Sequence, residues 1–117
     1  NGEWAEFVRG ANATERFELA KRSEIFQAPD AYTLIRDLMQ YTNVDVAHLI
    51  TSPTLVLDYD LEEFYPGQAR KLYGLLTSPK TFVRLTAVDG SQYHDAPMAP
   101  LHRNEVVFDW LDQTLGL

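Results

Sequence analysis

Apolar positions change their rhythm once along this chain, close to residue 50. Before that point they recur at helical spacing. From Glu15 to Phe26 a polar run carries Phe17, Ala20 and Ile25, which predicts a helix of modest amphipathicity. Pro29-Asp30 restarts the chain, with Asp30 suited to cap the next helix. Ala31, Leu34, Ile35, Leu38, Met39 and Thr42 then fall on one 3.6-period face and predict a second helix. A short helical turn is expected over 43–48.

After Ser52-Pro53 the texture differs. Thr54-Leu55-Val56-Leu57 is a continuous apolar run of the kind found in strands buried on both faces. A loop of acids follows, and Pro66-Gly67 opens a helix with Ala69, Leu72, Tyr73 and Leu76 as its stripe. Ser78-Pro79 ends it. Thr81 to Thr86 is rich in β-branched and aromatic residues and predicts a second strand. An irregular loop over 89–101 leads to a last helix, where Val107, Trp110, Leu111 and Leu115 share a face. The expected fold class is therefore α/β: helices over 1–49, then a βαβα unit over 50–117. Two parallel strands do not make a stable sheet by themselves, so this unit is expected to complete a larger one.

Composition narrows the function classes. Apolar residues make up 45% of 117 residues, enough for a core, so disorder is not expected. The formal net charge is -7 with ten scattered Lys and Arg, which argues against nucleic acid and anionic membranes as partners. The absence of cysteine removes disulfides, thiolate metal sites and a cysteine nucleophile. No stretch has the length of a membrane span. The opening Asn1-Gly2-Glu3-Trp4 reads as the start of a processed or excised piece, and the compartment stays open.

The chemistry-bearing residues cluster behind the two strands. Asp58, Asp60, Glu62 and Glu63 follow the first, and His94 follows the second. Loops at the carboxyl ends of adjacent parallel strands face one crevice. A carboxylate and an imidazole in that crevice suit acyl transfer, where the acid fixes the histidine tautomer and stabilises the imidazolium. The stretches Pro53–Asp58, Phe64-Tyr65-Pro66-Gly67-Gln68-Ala69, Pro79–Arg84 and Phe108-Asp109-Trp110-Leu111-Asp112 together resemble the C-terminal half of the α/β-hydrolase superfamily. The likeness is strongest to the branch of dipeptidyl-aminopeptidase-like and pseudooxynicotine-hydrolase-like enzymes. The first third is similar to the lid-type helices before that half. The resemblance implies a Ser-Glu-His triad with Glu62 as the acid and His94 as the base, Asp58 and Asp60 being the fallback acids. It implies no cofactor and no metal, and a small ester or amide, or a cleavable C–C bond, as substrate. Gln92-Tyr93 departs from the small residues that the family often has before its histidine.

The nucleophile is missing from the pattern. In this fold the triad runs Ser, then acid, then His, with Ser in Gly-x-Ser-x-Gly between strand and helix. Only Ser23 and Ser52 precede Glu62, and neither has a flanking glycine. Ser78 and Ser91 come too late. The oxyanion donors belong to the same absent segment. The isolated chain is thus expected to be inactive and to need the N-terminal half of a hydrolase. The competing expectation is a non-catalytic module that oligomerises with a second copy of itself.

Plainer readings stand beside these. His94 is also readable as an ordinary loop histidine and Glu62 as one solvated acid among four. The acidic loop lacks the EF-hand pattern for a cation. His48 and His102 read as surface or capping residues, and Asn12-Ala13-Thr14 is a formal glycosylation sequon. Trp4, Phe7 and Phe17 read as core residues first and as lining of an acyl pocket second.

Overall fold

The computed structural model describes Glu6 and residues 9–117; Trp4 and Phe7 lie outside the described residues. The chain divides into two compact units, one running to Thr42 and the other from Asn43 to Leu117.

The first unit is helical. Helix α1 (Ala13–Ile25) begins at a reciprocal cap: Asn12 Oδ1 accepts the Glu15 N–H at 3.0 Å, and Glu15 Oε2 accepts the Asn12 N–H at 2.7 Å. Two otherwise orphaned donors are satisfied at once. No residue of α1 is buried, and Phe17 is 59% exposed, so the core-packing expectation for Phe17 is not met. Helix α2 (Ala31–Leu38) is capped as expected by Asp30, whose Oδ1 accepts the Thr33 N–H at 2.8 Å. Its Leu34 is completely buried. The stripe predicted to reach Thr42 stops at Leu38 because the last turn tightens: Gln40 N–H bonds Asp37 O and Tyr41 N–H bonds Leu38 O, three residues back. Met39 is left exposed.

The second unit is mixed α/β. A short 3₁₀ turn (Ala47–Leu49) stands where a helical turn is expected, and the Thr77 hydroxyl donates to its His48 carbonyl at 3.0 Å. Strands β1 (Thr54–Tyr59) and β2 (Lys80–Leu85) pair in parallel, Thr54 opposite Lys80 through Tyr59 opposite Leu85. Helix α3 (Gln68–Leu75) makes the crossover between them, and helix α4 (Pro100–Leu115) closes the unit. Gly67 caps α3 at φ 79°, a left-handed conformation that glycine adopts without steric cost.

Side chains alternate across a strand, so contacts assign each helix to a face. Arg70 and Tyr73 of α3 reach Asp58 and Phe82. Trp110 Nε1 of α4 donates at 3.0 Å to Thr81 Oγ1, which points the other way from Phe82. The two-stranded sheet therefore carries α3 on one face and α4 on the other, with Val56, Leu76 and Leu85 in the core. Lys80 ties β2 to α3: its ammonium donates at 2.7 Å to both Tyr73 O and Leu76 O, carbonyls of the α3 C-terminal turn.

Three expectations need correction. Strand β1 is not buried on both faces along its length; only Val56 and Asp58 are buried, and among the described residues the sheet has just two strands. Asp58 belongs to the strand and not to the acidic loop, held there opposite Arg84. The last helix begins at Pro100, inside the expected loop, because proline suits a first helical position whose N–H has no intrahelical partner. Of its expected apolar face, Val107 and Trp110 are half-buried while Leu111 and Leu115 are exposed.

Candidate active site

The parallel ladder does not end with the strands. Asp60 N–H bonds Leu85 O at 3.0 Å, after which the second strand bulges away through residues 86–91. It then returns: Leu61 N–H bonds Gln92 O at 2.8 Å, and Leu61 and Tyr93 form a parallel bridge. Glu62 and His94 are the residues immediately after these two bridge partners. One register thus carries both side chains to the same place beyond the carboxyl ends of the strands.

The bulge is self-bonded. Asp89 Oδ1 accepts the Ser91 hydroxyl at 2.5 Å and the Thr86 N–H at 3.3 Å, with Ser91 completely buried. The Ser91 hydroxyl holds the Asp89 carboxyl down at about 2, so it stays ionised. Asp89 Oδ2 also lies 3.2 Å from His102 Nε2 on the first turn of α4. Ser91 is therefore a structural hydroxyl. His102, expected as a surface or capping residue, bridges Asp89 and Glu105, whose Oε2 is 3.4 Å from Nδ1.

Glu62 Oε2 and His94 Nδ1 are 2.7 Å apart, the length of a charge-assisted hydrogen bond. The other carboxylate oxygen, Oε1, accepts the backbone N–H groups of Phe64 at 2.8 Å and Tyr65 at 3.0 Å. Every bond to Glu62 is thus made to its charged form. The carboxylate is 11% exposed, and burial by itself pushes its pKa up; the bonds from His94, Tyr65 and Phe64 outweigh this and leave it lowered. His94 is shifted upward, first by the bond to Glu62, against burial, with help from the Asp95 charge. With the proton on Nδ1 donated to Glu62, Nε2 is the nitrogen that carries the lone pair. Asp95 Oδ2 lies 3.5 Å from Nε2 on a side chain that is 73% exposed. The rings of Phe64, Tyr65 and Tyr59 surround the imidazole at 5.0, 6.0 and 6.4 Å between centroids.

The structure thus brings together two predicted residues, Glu62 and His94. The fallback acids turn elsewhere: Asp58 pairs with Arg70 at 3.2 Å, and Asp60 with Arg84. Among the described residues no group of three or more His, Asp or Glu is placed to hold a metal ion, and no helix is long and apolar enough to cross a membrane. Sequence reasoning did not single out Tyr59, Phe64, Tyr65 or Asp95 as site residues. Their only signal was proximity to Glu62 and His94 along the chain. No family model, curated protein or solved structure matches the chain.

The opposed shifts set a pH window for stability. A carboxyl lowered below its ordinary 4.5 contributes stability above that value and loses it as pH falls through its folded pKa. An imidazole raised above 6.5 contributes below that value and loses it as pH rises through its folded pKa. The pair therefore stabilises the second unit most between 4.5 and 6.5. Thermal melts of the chain and of His94→Ala across this range should differ most inside the window and converge on the alkaline side. A constant difference at all pH values would contradict the pairing.

Proposed function

We propose that this chain is the C-terminal portion of a serine hydrolase of the α/β-hydrolase type, acting on an ester, an amide or a C–C bond. Glu62 and His94 supply the acid and base of a Ser-Glu-His triad. The observation that carries this reading is the 2.7 Å Glu62–His94 bond beyond the carboxyl ends of adjacent parallel strands. In the proposed reaction His94 Nε2 takes the proton of a serine Oγ as that oxygen bonds the substrate's carbonyl carbon. Glu62 stabilises the imidazolium so formed. The same proton then passes to the leaving group as its bond to the carbonyl carbon breaks, and water releases the acyl group by the reverse transfer. The serine and the oxyanion donors lie in a polypeptide segment carrying Gly-x-Ser-x-Gly.

The exposed Leu101, Phe108 and Leu115 of α4, and a sheet of only two strands among the described residues, suit an added layer of structure, which supports the need for a partner segment. The test pairs the native size of the material with hydrolysis of a simple p-nitrophenyl ester. Association with a segment carrying Gly-x-Ser-x-Gly should give hydrolysis, and His94→Ala should abolish it. Activity that survives His94→Ala refutes the assignment. A stable homo-oligomer that gains no activity from such a segment favours the non-catalytic module instead.

A further inference from the structure

The backbone on the two sides of His94 is held differently. Upstream, the Leu61–Tyr93 bridge fixes it to the ladder. Downstream, Asp95 and Ala96 both take left-handed conformations, φ 59° and 45°, which are unusual for residues other than glycine. Two such residues in succession persist only when the surroundings impose them. Ala96 is completely buried, and its N–H bonds Tyr93 O at 2.8 Å, closing a tight turn around His94. The carbonyl of Asp95, at the middle of this strained pair, accepts a hydrogen bond from Arg103 Nη1 at 2.7 Å.

Arg103 is well placed to impose the turn. It sits in the first turn of α4, where its own N–H bonds Ala99 O. Its guanidinium is oriented by Asn104 Oδ1, which accepts from Nε at 3.3 Å and Nη2 at 3.1 Å. The remaining arm of the fork is left for the Asp95 carbonyl. That bond is made by a charged donor to a backbone acceptor, and such bonds are stronger than neutral ones.

We propose that Arg103 is a positioning residue for His94: through the Asp95 carbonyl it imposes the left-handed turn that aims the imidazole Nδ1 at Glu62. This goes beyond the triad assignment, and only its catalytic consequence rests on reading His94 as the base. Without Arg103 the turn relaxes toward ordinary backbone angles, and the ring is no longer held to one nitrogen.

The decisive measurement is ¹⁵N NMR of the histidine rings of the whole chain, at a pH above the His94 titration. The unaltered protein should show His94 chiefly protonated on Nδ1, the form that Glu62 selects. Arg103→Ala should shift the ring several-fold toward protonation on Nε2, while Arg103→Lys, which keeps one charged donor, should hold the original form. Should Arg103→Ala fail to fold, Arg103→Gln carries the same test, because its amide is shorter and does not reach the carbonyl. A folded Ala or Gln variant with the original ring form retained overturns the proposal. In an assembly that hydrolyses esters, Arg103→Ala should lower kcat by up to about a hundredfold with KM little changed. A ring shift without any hydrolysis by the assembly leaves the positioning role standing and removes the hydrolase reading. Hydrolysis without a ring shift does the reverse.

Discussion

In the proposed hydrolase assembly, Glu62→Gln should lower kcat by about 10,000-fold and leave KM nearly unchanged. The size follows from what the substitution does to the proton on His94. Glu62 uses one oxygen for the Phe64 and Tyr65 N–H groups and the other for His94 Nδ1. A glutamine has a single acceptor oxygen. Two backbone donors claim it, so the amide nitrogen is the atom that turns toward His94. That nitrogen donates, which forces Nδ1 to accept and puts the ring proton on Nε2. In the proposed triad, His94 would then present a proton where a general base has to present a lone pair. The negative charge that stabilises the imidazolium is lost as well, so the His94 pKa should fall toward its ordinary 6.5. The bonds that Glu62 makes go to His94 and to the Phe64 and Tyr65 N–H groups, so the loss is expected in kcat. Steady-state kinetics with an activated ester decides it. A Glu62→Gln variant that keeps a tenth of the activity would remove Glu62 from the proposed triad.

Much of this site was legible in the residues, for a physical reason. The strands stand out as short apolar, β-branched runs even though β1 is only partly buried, and the topology of a parallel pair sends both following loops to the same end. That is enough to bring the vicinity of Glu62 to the vicinity of His94. It is not enough to choose among Asp58, Asp60 and Glu62, because all three lie within five positions. The choice is made by pairings distant in sequence. Arg70 on α3 takes Asp58, Arg84 on β2 takes Asp60, and Glu62 is left at the register step beside His94. The same limit hid Arg103, whose contact with Asp95 depends on where α4 begins. Local patterning placed that start a little too late, since a proline reads equally well as the end of a loop or the first residue of a helix. The halt of α2 at Leu38 had no clear marker either. Its apolar stripe continues through Met39, and the tightening of the last turn is set by the backbone bonds of Gln40 and Tyr41.

Leu85→Ala should be the most damaging single truncation in the second unit, at about 2–5 kcal/mol. Leu85 is 1% exposed and is the last residue of β2, paired with Tyr59 at the end of the register. Removing its side chain leaves a void where the surroundings are least able to close. The strand above is fixed by the ladder, and the bulge beyond is fixed by the Asp89 bonds to Ser91 and Thr86. A site that cannot collapse bears the full cavity cost. Domains of this size are stabilised by only about 0.05–0.15 kcal/mol per residue, so the loss is a large share of the total. It also falls beside the Glu62–His94 pair. The Leu85 carbonyl holds Asp60, and the next ladder bond, from Leu61 to Gln92, sets Glu62 against His94. Leu101→Ala is the matched control: at 83% exposed it should cost within about 0.5 kcal/mol of nothing in the isolated chain. Urea denaturation of the two variants beside the unaltered chain provides the comparison. If Leu85→Ala costs less than about 1 kcal/mol, the carboxyl end of β2 is soft. In that case the Glu62–His94 geometry must be held by the α4 contacts of Arg103 and His102 instead.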